Sequence, residues 1–340
     1  MADILFPAFI VDILVIAVSF IFLNYASNTV ITYALKVSAI TRLGKTSIGF
    51  TLISMTTTLP ELTVAIIAAT TGGAPLSIGN VLGSNIFNIA VILGIAAVIL
   101  GLTKVVTKNR KNSSTNIIPS LAKTEINSIE FGLFVSSIIP LLLIYVSTEA
   151  AWIVGLILLI IFAGYMYKLS KVRMPDEEEV TKEDKTKLKR YIFFTILGAL
   201  GVVISANFLV NSAIAIATSA GISQQVIGAT IIAFGTSLPE LTIGLKSILK
   251  GHPNLAVGNI IGASFLNTTL ILGITFFVPA LIGSSLILNM EVFQNLVIFS
   301  ILTNLFFWYF ISREHISWKE GMIFLFIYAL FITTTIGALF

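Results

Sequence analysis

Residues 56–61 read TTTLPE and residues 235–240 read GTSLPE. Each lies inside an apolar run, and each sets a glutamate directly after a proline. A proline within a helix has no N–H to donate, and its ring collides with the carbonyl four residues back. A carboxylate in a segment apolar enough to enter a bilayer is costly. The chain makes both choices twice, and the neighbouring residues repeat with them. GFTLISMTTTLPELTVAIIAATTGGAPLSIGNVLGSNIFNIAVILG (49–94) aligns without a gap on GATIIAFGTSLPELTIGLKSILKGHPNLAVGNIIGASFLNTTLILG (228–273), at a constant spacing of 179 residues. Pro60 pairs with Pro239, Glu61 with Glu240, Gly79 with Gly258, Gly83 with Gly262 and Asn88 with Asn267.

The rest of the chain says what surrounds these copies. Of 340 residues, 56% are hydrophobic and 11% charged, and the mean hydropathy is +1.01. Soluble domains carry about 25% charged residues, so this composition belongs in a lipid bilayer. A membrane helix needs roughly 20 apolar residues, which leaves room for about ten. Ten segments can be marked, near 4–24, 47–71, 76–101, 129–147, 150–168, 191–212, 224–249, 254–282, 290–311 and 318–339. The longer loops then fall near 25–46, 102–128, 169–190 and 312–317. The apolar N-terminal run exceeds a signal-peptide core and reads as a retained first span. Cysteine is absent, which excludes disulfides, thiolate metal sites and a cysteine nucleophile. No Walker motif, glycine-rich dinucleotide loop or GxSxG elbow is present, so neither ATP-driven work nor an enzyme is expected.

The basic residues give the orientation. Lysines and arginines follow segments 1, 3, 5, 7 and 9, from Lys36 to Lys319, and these account for all 20 in the chain. The turns after segments 2, 4, 6 and 8 have none. By the positive-inside rule the odd connections, including loop 169–190, are cytoplasmic and both termini are outside. The small net charge of +4 is thus a helix-end signal, and nucleic acid is not an expected partner. The acidic and basic residues of 169–190 read as a solvated linker. On this count, residues 1–168 form a first five-helix unit, carrying repeat 49–94. Residues 191–340 form a second, carrying repeat 228–273. An odd number of spans makes the second unit enter from the opposite side. The expected fold is an all-α polytopic membrane protein with about ten helices in two inverted repeats, an architecture that places a substrate site near the bilayer midplane.

The repeated residues suit a hard cation. Pro60 and Pro239 free carbonyls in the preceding turn, at Thr56 and Thr57 and at Gly235 and Thr236, and these must find a partner at membrane depth. Thr57, Thr58, Thr236 and Ser237 add hydroxyls. Glu61 and Glu240 add a charge of −2, which one Ca²⁺ or two Na⁺ would balance. Ca²⁺ takes six to eight oxygen ligands. A buried carboxylate without such a partner takes up a proton instead. Competition of Ca²⁺, Na⁺ and H⁺ for one site is a physical basis for antiport. Ser84 and Asn88 share a helix face and could reach the site. Asn80 and Asn259 could reach it or serve only to join helices. Gly79, Gly83, Gly258 and Gly262 have small-xxx-small spacing for close packing. Asp12 and Glu291 read as interfacial. Asn207, Asn211, Gln294, Asn295 and Asn304 read as helix-packing groups. His252 and His315 have no second ligand at metal spacing.

TTTLPE, GTSLPE, GNVLGSNIFN (79–88) and GNIIGASFLN (258–267) resemble the α-repeats of the calcium/cation antiporter superfamily, above all its prokaryotic sodium/calcium exchangers. The resemblance covers about 45 residues in each copy. It implies a secondary antiporter in the cell membrane, working as a monomer, with Ca²⁺ and Na⁺ as transported ions and no tightly bound cofactor. It implies a Ca²⁺ site made by Glu61, Glu240 and the carbonyls of Thr57 and Thr236. It further implies Na⁺ sites using Thr58, Ser237, Ser84 and carbonyls around Ser54 and Ala233, with Asn88 and Asn267 nearby. The first and sixth segments would slide past the rest to alternate access. Thr56 stands where the family expects glycine, Thr58 where it expects serine, Ala263 where serine is usual, and Asn267 where many members carry aspartate. Having two acids instead of three keeps a Ca²⁺/H⁺ antiporter open. A cation channel fits the inverted, broken helices less well.

Overall fold

Apolar, Gly- and Pro-punctuated runs have one solution in lipid, because only a helix satisfies its backbone polar groups within the segment. A computed structural model of the chain describes residues 2–41, 49–106, 123–143, 150–170, 187–221, 227, 230, 232–249, 253–283, 290–313 and 316–337, and every regular element among them is helical. In chain order they are α1 (Ala2–Thr41), a π-helical turn π1 (Gly49–Ile53), α2 (Ser54–Thr57), α3 (Leu59–Thr70), α4 (Ala74–Phe87), π2 (Asn88–Ile92), α5 (Leu93–Val106), α6 (Lys123–Leu143) and α7 (Ala151–Ser170). There follow α8 (Leu188–Ala220), α9 (Ala233–Thr236), α10 (Leu238–Leu249), α11 (Pro253–Leu266), π3 (Asn267–Ile271), α12 (Leu272–Leu281), α13 (Met290–Ser312) and α14 (Trp318–Gly337).

The repeat seen in the residues is also a repeat of elements. α9, α10, α11, π3 and α12 each start 179 residues after α2, α3, α4, π2 and α5. Close glycine contacts recur at the same offset. A side chain on Gly94 of α5 would meet the Gly321 carbonyl of α14 at 3.0 Å, and one on Gly273 of α12 would meet the Gly155 carbonyl of α7 at 3.2 Å. Each copy thus packs its last helix backbone-to-backbone on another helix.

Among the described residues, five stretches are long and apolar enough to cross a membrane: Phe9–Ala26, Ala74–Ile99, Ala151–Leu169, Ala256–Leu281 and Phe293–Ser312. They divide into inside and outside. The stretches from the two repeats are 83% buried, against 11% for Phe9–Ala26 and 22% for Ala151–Leu169. The repeats therefore form the interior. α1, α7 and α8 present Phe22, Ile160, Phe193 and Phe208 outward, the apolar surface that lipid requires. A second apolar layer binds α1 and α8 to the repeats through Leu23, Leu209, Ala213, Val64 and Leu76.

Some expected boundaries move. α1 continues to Thr41 through residues expected to be a loop from 25 onward. Two of its threonines bond along the helix itself: the Thr29 hydroxyl donates to the Tyr25 carbonyl at 3.0 Å and that of Thr32 to the Asn28 carbonyl at 2.8 Å. α8 likewise continues past 212 to Ala220 and stops at Gly221, which has φ +66°, a left-handed cap natural to glycine. Asn207 and Asn211 do not join helices as expected. They are exposed and bond each other, Nδ2 to Oδ1 at 2.9 Å, four residues apart on α8. Gln294 and Asn295 are exposed as well, whereas Asn304 is buried. Most of linker 169–190, His252, His315 and the side chain of Glu291 lie outside the described residues.

Candidate cation site

The two prolines end one helix and begin another. The α-helical bonding run stops at Thr58 (φ −82°, ψ 4°) and at Ser237 (φ −85°, ψ 3°). It resumes when the N–H groups of Leu62 and Leu241 reach the Thr58 and Ser237 carbonyls at 2.9 and 3.0 Å. Pro60 and Pro239 occupy the first turn of α3 and α10, where a missing N–H costs nothing. Glu61 and Glu240 stand in the same first turns, beside the positive end of the helix dipole. Thr57 and Thr236 are the last residues of α2 and α9, so their carbonyls lie at the breaks.

These breaks face each other across the copies. Glu61, Glu240, Thr57, Thr236, Ser237, Ser84, Asn88, Asn267 and Ser54 are all fully buried, and Thr58 and Ala233 nearly so. The Ser237 hydroxyl donates to Oε1 of Glu61 at 3.4 Å. The hydroxyls of Thr236 and Ser84 also face the Glu61 carboxylate, and that of Thr57 faces Glu240. The Glu61 carboxylate thus meets a hydroxyl of the helix break that precedes Glu240. Each glutamate therefore draws its neighbours mainly from the other copy.

Two buried asparagines fasten this crossing. The Thr57 hydroxyl lies 3.3 Å from Oδ1 of Asn259, and the Thr236 hydroxyl lies 3.1 Å from Oδ1 of Asn80. The two bonds are equivalent under the 179-residue repeat, so Asn80 and Asn259 join helices and border the site at once.

Equivalence fails elsewhere. The Thr58 hydroxyl turns to the Ser54 carbonyl at 2.7 Å, while its counterpart Ser237 turns to Glu61. The Ser54 carbonyl also receives the Thr58 N–H at 2.8 Å and the Thr57 hydroxyl at 3.2 Å. The Ala233 carbonyl receives the Ser237 N–H at 3.1 Å. Ser84 has Ala263 as its counterpart, and Ser54 has Ala233, so the second copy carries fewer hydroxyls. Reading the sequence left Asn85 and Ser264 out of the candidates. Both are fully buried here, and they hold equivalent places in the repeat.

The polar atoms outnumber their partners. Oε2 of Glu61, both carboxylate oxygens of Glu240, Oγ of Ser84 and Ser264, both amide atoms of Asn88, Oδ1 of Asn267 and Nδ2 of Asn80, Asn85 and Asn259 are buried without a hydrogen bond. Over 90% of buried polar groups in folded proteins are paired, and an uncompensated buried charge is strongly destabilising. The carboxylates of this cluster are therefore satisfied only with a cation or protons. Among the described residues no group of three or more His, Cys, Asp or Glu could hold a metal. A cation here would rest on two carboxylates and neutral oxygens, a set that suits hard ions.

The sodium/calcium exchanger protein family matches residues 11–171 and 190–337 of the chain. The chain is 26% identical to sodium/calcium exchanger MaX1 of Methanosarcina acetivorans over 315 residues, covering 82% of this chain and 90% of that one. It is 27% identical to a membrane protein of Methanocaldococcus jannaschii over 314 residues, covering 92% and 94%. Among solved structures it resembles the sodium–calcium exchanger NCX_Mj soaked with Na⁺, with a TM-score of 0.68, 25% identity, and coverage of 96% of this chain and 99% of that one.

Proposed function

The chain belongs to the sodium/calcium exchanger protein family, and on that premise we propose that it exchanges Ca²⁺ for Na⁺ across the membrane by alternating access. The observation that carries this reading is the meeting of Glu61 and Glu240, one from each copy, in a buried cluster where three of their four carboxylate oxygens have no hydrogen-bond partner. In it Glu61, Glu240 and the carbonyls of Thr57 and Thr236 hold Ca²⁺. Together with the same two carboxylates, Ser237, Ser84, Thr58, Asn88 and Asn267, with carbonyls near Ser54 and Ala233, hold Na⁺ when Ca²⁺ has left. Because both carboxylates serve both ions, Ca²⁺ and Na⁺ cannot occupy the site together, and that exclusion couples their movements.

The same reading takes the chain as ten spans in two inverted five-helix units, with both termini outside, the linker inside and the monomer as the working unit. The one-sided distribution of basic residues supports this arrangement. α1 supports the alternation. It packs across both α2 and α9, and the ring of Phe20 sits where a side chain on Gly235 would otherwise stand. Movement of α1 along this surface would cover and uncover the site.

A second reading couples Ca²⁺ to H⁺. It draws on the neutral residues Asn88 and Asn267, which leave two carboxylates as the acidic groups of the cluster. Proteoliposomes separate the two. Ca²⁺ uptake that follows an imposed Na⁺ gradient at equal pH supports Na⁺ exchange. Uptake that follows a pH gradient in Na⁺-free medium supports the second reading. Ca²⁺ conductance that needs neither gradient defeats both and points to a channel.

A further inference from the structure

The two equivalent asparagines Asn88 and Asn267 open π2 and π3, yet only one of them is restrained. Nδ2 of Asn267 donates to Oδ1 of Asn85 at 2.9 Å, and both side chains are fully buried. That bond occupies the NH₂ group of Asn267 and leaves its Oδ1 as an unpaired buried acceptor. In the other copy the place of Asn85 is taken by Ser264. The Ser264 hydroxyl is unpaired, and both amide atoms of Asn88 are unpaired with it. π3 packs against α3 and α4, the helices that carry Glu61 and Ser84.

An amide side chain is two-faced. Its oxygen attracts a cation and its NH₂ repels one, and a half-turn exchanges them. We infer that Asn85 is a positioning residue of the exchange site: it holds the NH₂ of Asn267 so that this side chain offers its carbonyl oxygen to the bound cation. Turning both amides over would keep a bond between them but aim the Asn267 NH₂ at the cation, so a bound cation selects the arrangement seen. Asn88, with no such partner, is free to turn. The asymmetry between the copies then extends beyond the ligands to the residue that orients one of them. This inference rests on the proposed exchange site, since it needs a cation there.

The test is cation binding by the purified full-length protein, read as Na⁺- and Ca²⁺-dependent shifts in melting temperature, alongside flux in proteoliposomes. Asn85→Leu should raise the half-saturating Na⁺ concentration about tenfold, the scale of one lost ligand or hydrogen bond. Asn85→Ser, which copies the natural residue of the other repeat, should do the same and guards against misfolding of the leucine variant. The deciding arm is Asn267→Asp. A carboxylate has two equivalent oxygens and needs no orienting, so Asn85→Leu on that background should change Na⁺ affinity by no more than about twofold. An unchanged Na⁺ affinity in both Asn85 variants overturns the inference. So does a tenfold loss that persists on the Asn267→Asp background, because that is the mark of general packing damage. If no cation shifts the melting temperature of the parent protein, the inference falls with the site. A parent that binds cations but exchanges none removes the exchange reading alone.

Discussion

Two residues of the same position in the repeat behave differently. Ser237 donates to Glu61, whereas Thr58 spends its hydroxyl on the Ser54 carbonyl one turn back. Ser237→Ala should therefore raise the half-saturating cation concentration several-fold in flux assays, in line with about 1 kcal/mol for one hydrogen bond. Thr58→Ala should have a smaller effect on affinity. Thr57→Val and Thr236→Val should act chiefly on stability. Each strands a buried asparagine oxygen, Asn259 or Asn80, at a cost of about 1–3 kcal/mol, visible as a lower melting temperature. The glutamates themselves were legible in the sequence, because a carboxylate amid apolar residues has few bland explanations. Asn85 was not. An asparagine in a membrane helix looks the same whether it ties two helices or orients a ligand, and only its neighbour across the copies decides. Nor could a threonine at position 58 reveal which way its hydroxyl turns.

At the scale of elements, close approach rather than propensity sets the packing. A side chain on Gly262 would run into the Phe50 backbone and Oγ of Ser54, at the foot of α2. Gly262→Ala should thus lower the melting temperature and abolish transport, with about 1–3 kcal/mol of overpacking at a backbone that has nowhere to move. Gly235→Ala presses on the Phe20 ring instead, a side chain that can be trimmed. Its loss of activity should be relieved by Phe20→Ala in the same chain, which a defect confined to α9 would not allow. Gly164 on α7 is the control: nothing lies within 4 Å of an added Cβ. Gly164→Ala should leave transport unchanged and raise the melting temperature slightly, as roughly 0.5–1 kcal/mol favours alanine in a helix. The spacing of Gly258 and Gly262 announced tight packing, and the prolines announced the breaks. The π turns did not announce themselves, because no residue type favours them and only the bonding pattern reveals them. The ends of α1 and α8 were misread for a related reason. Their Thr and Asn side chains look like loop chemistry but bond within their own helices.

For the whole molecule, the repeat was legible in the sequence, and the five elements from α9 to α12 start at its 179-residue spacing. Orientation can be tested directly, since the chain has no cysteine to remove. A cysteine replacing Thr71, in the exposed turn after α3, should react with a membrane-impermeant maleimide added outside intact cells. One replacing Thr181 in the linker should react only after permeabilisation. The reverse pattern would invert the topology, and outside labelling of both would remove the inverted repeat. The central claim is that two distant copies make one site. Calorimetric titration of Ca²⁺ into the purified protein, compared with Glu61→Gln and Glu240→Gln, tests it most directly. A single site per chain, lost in either variant alone, is the predicted result. Two independent sites, or Ca²⁺ binding retained when one glutamate is replaced, would contradict it.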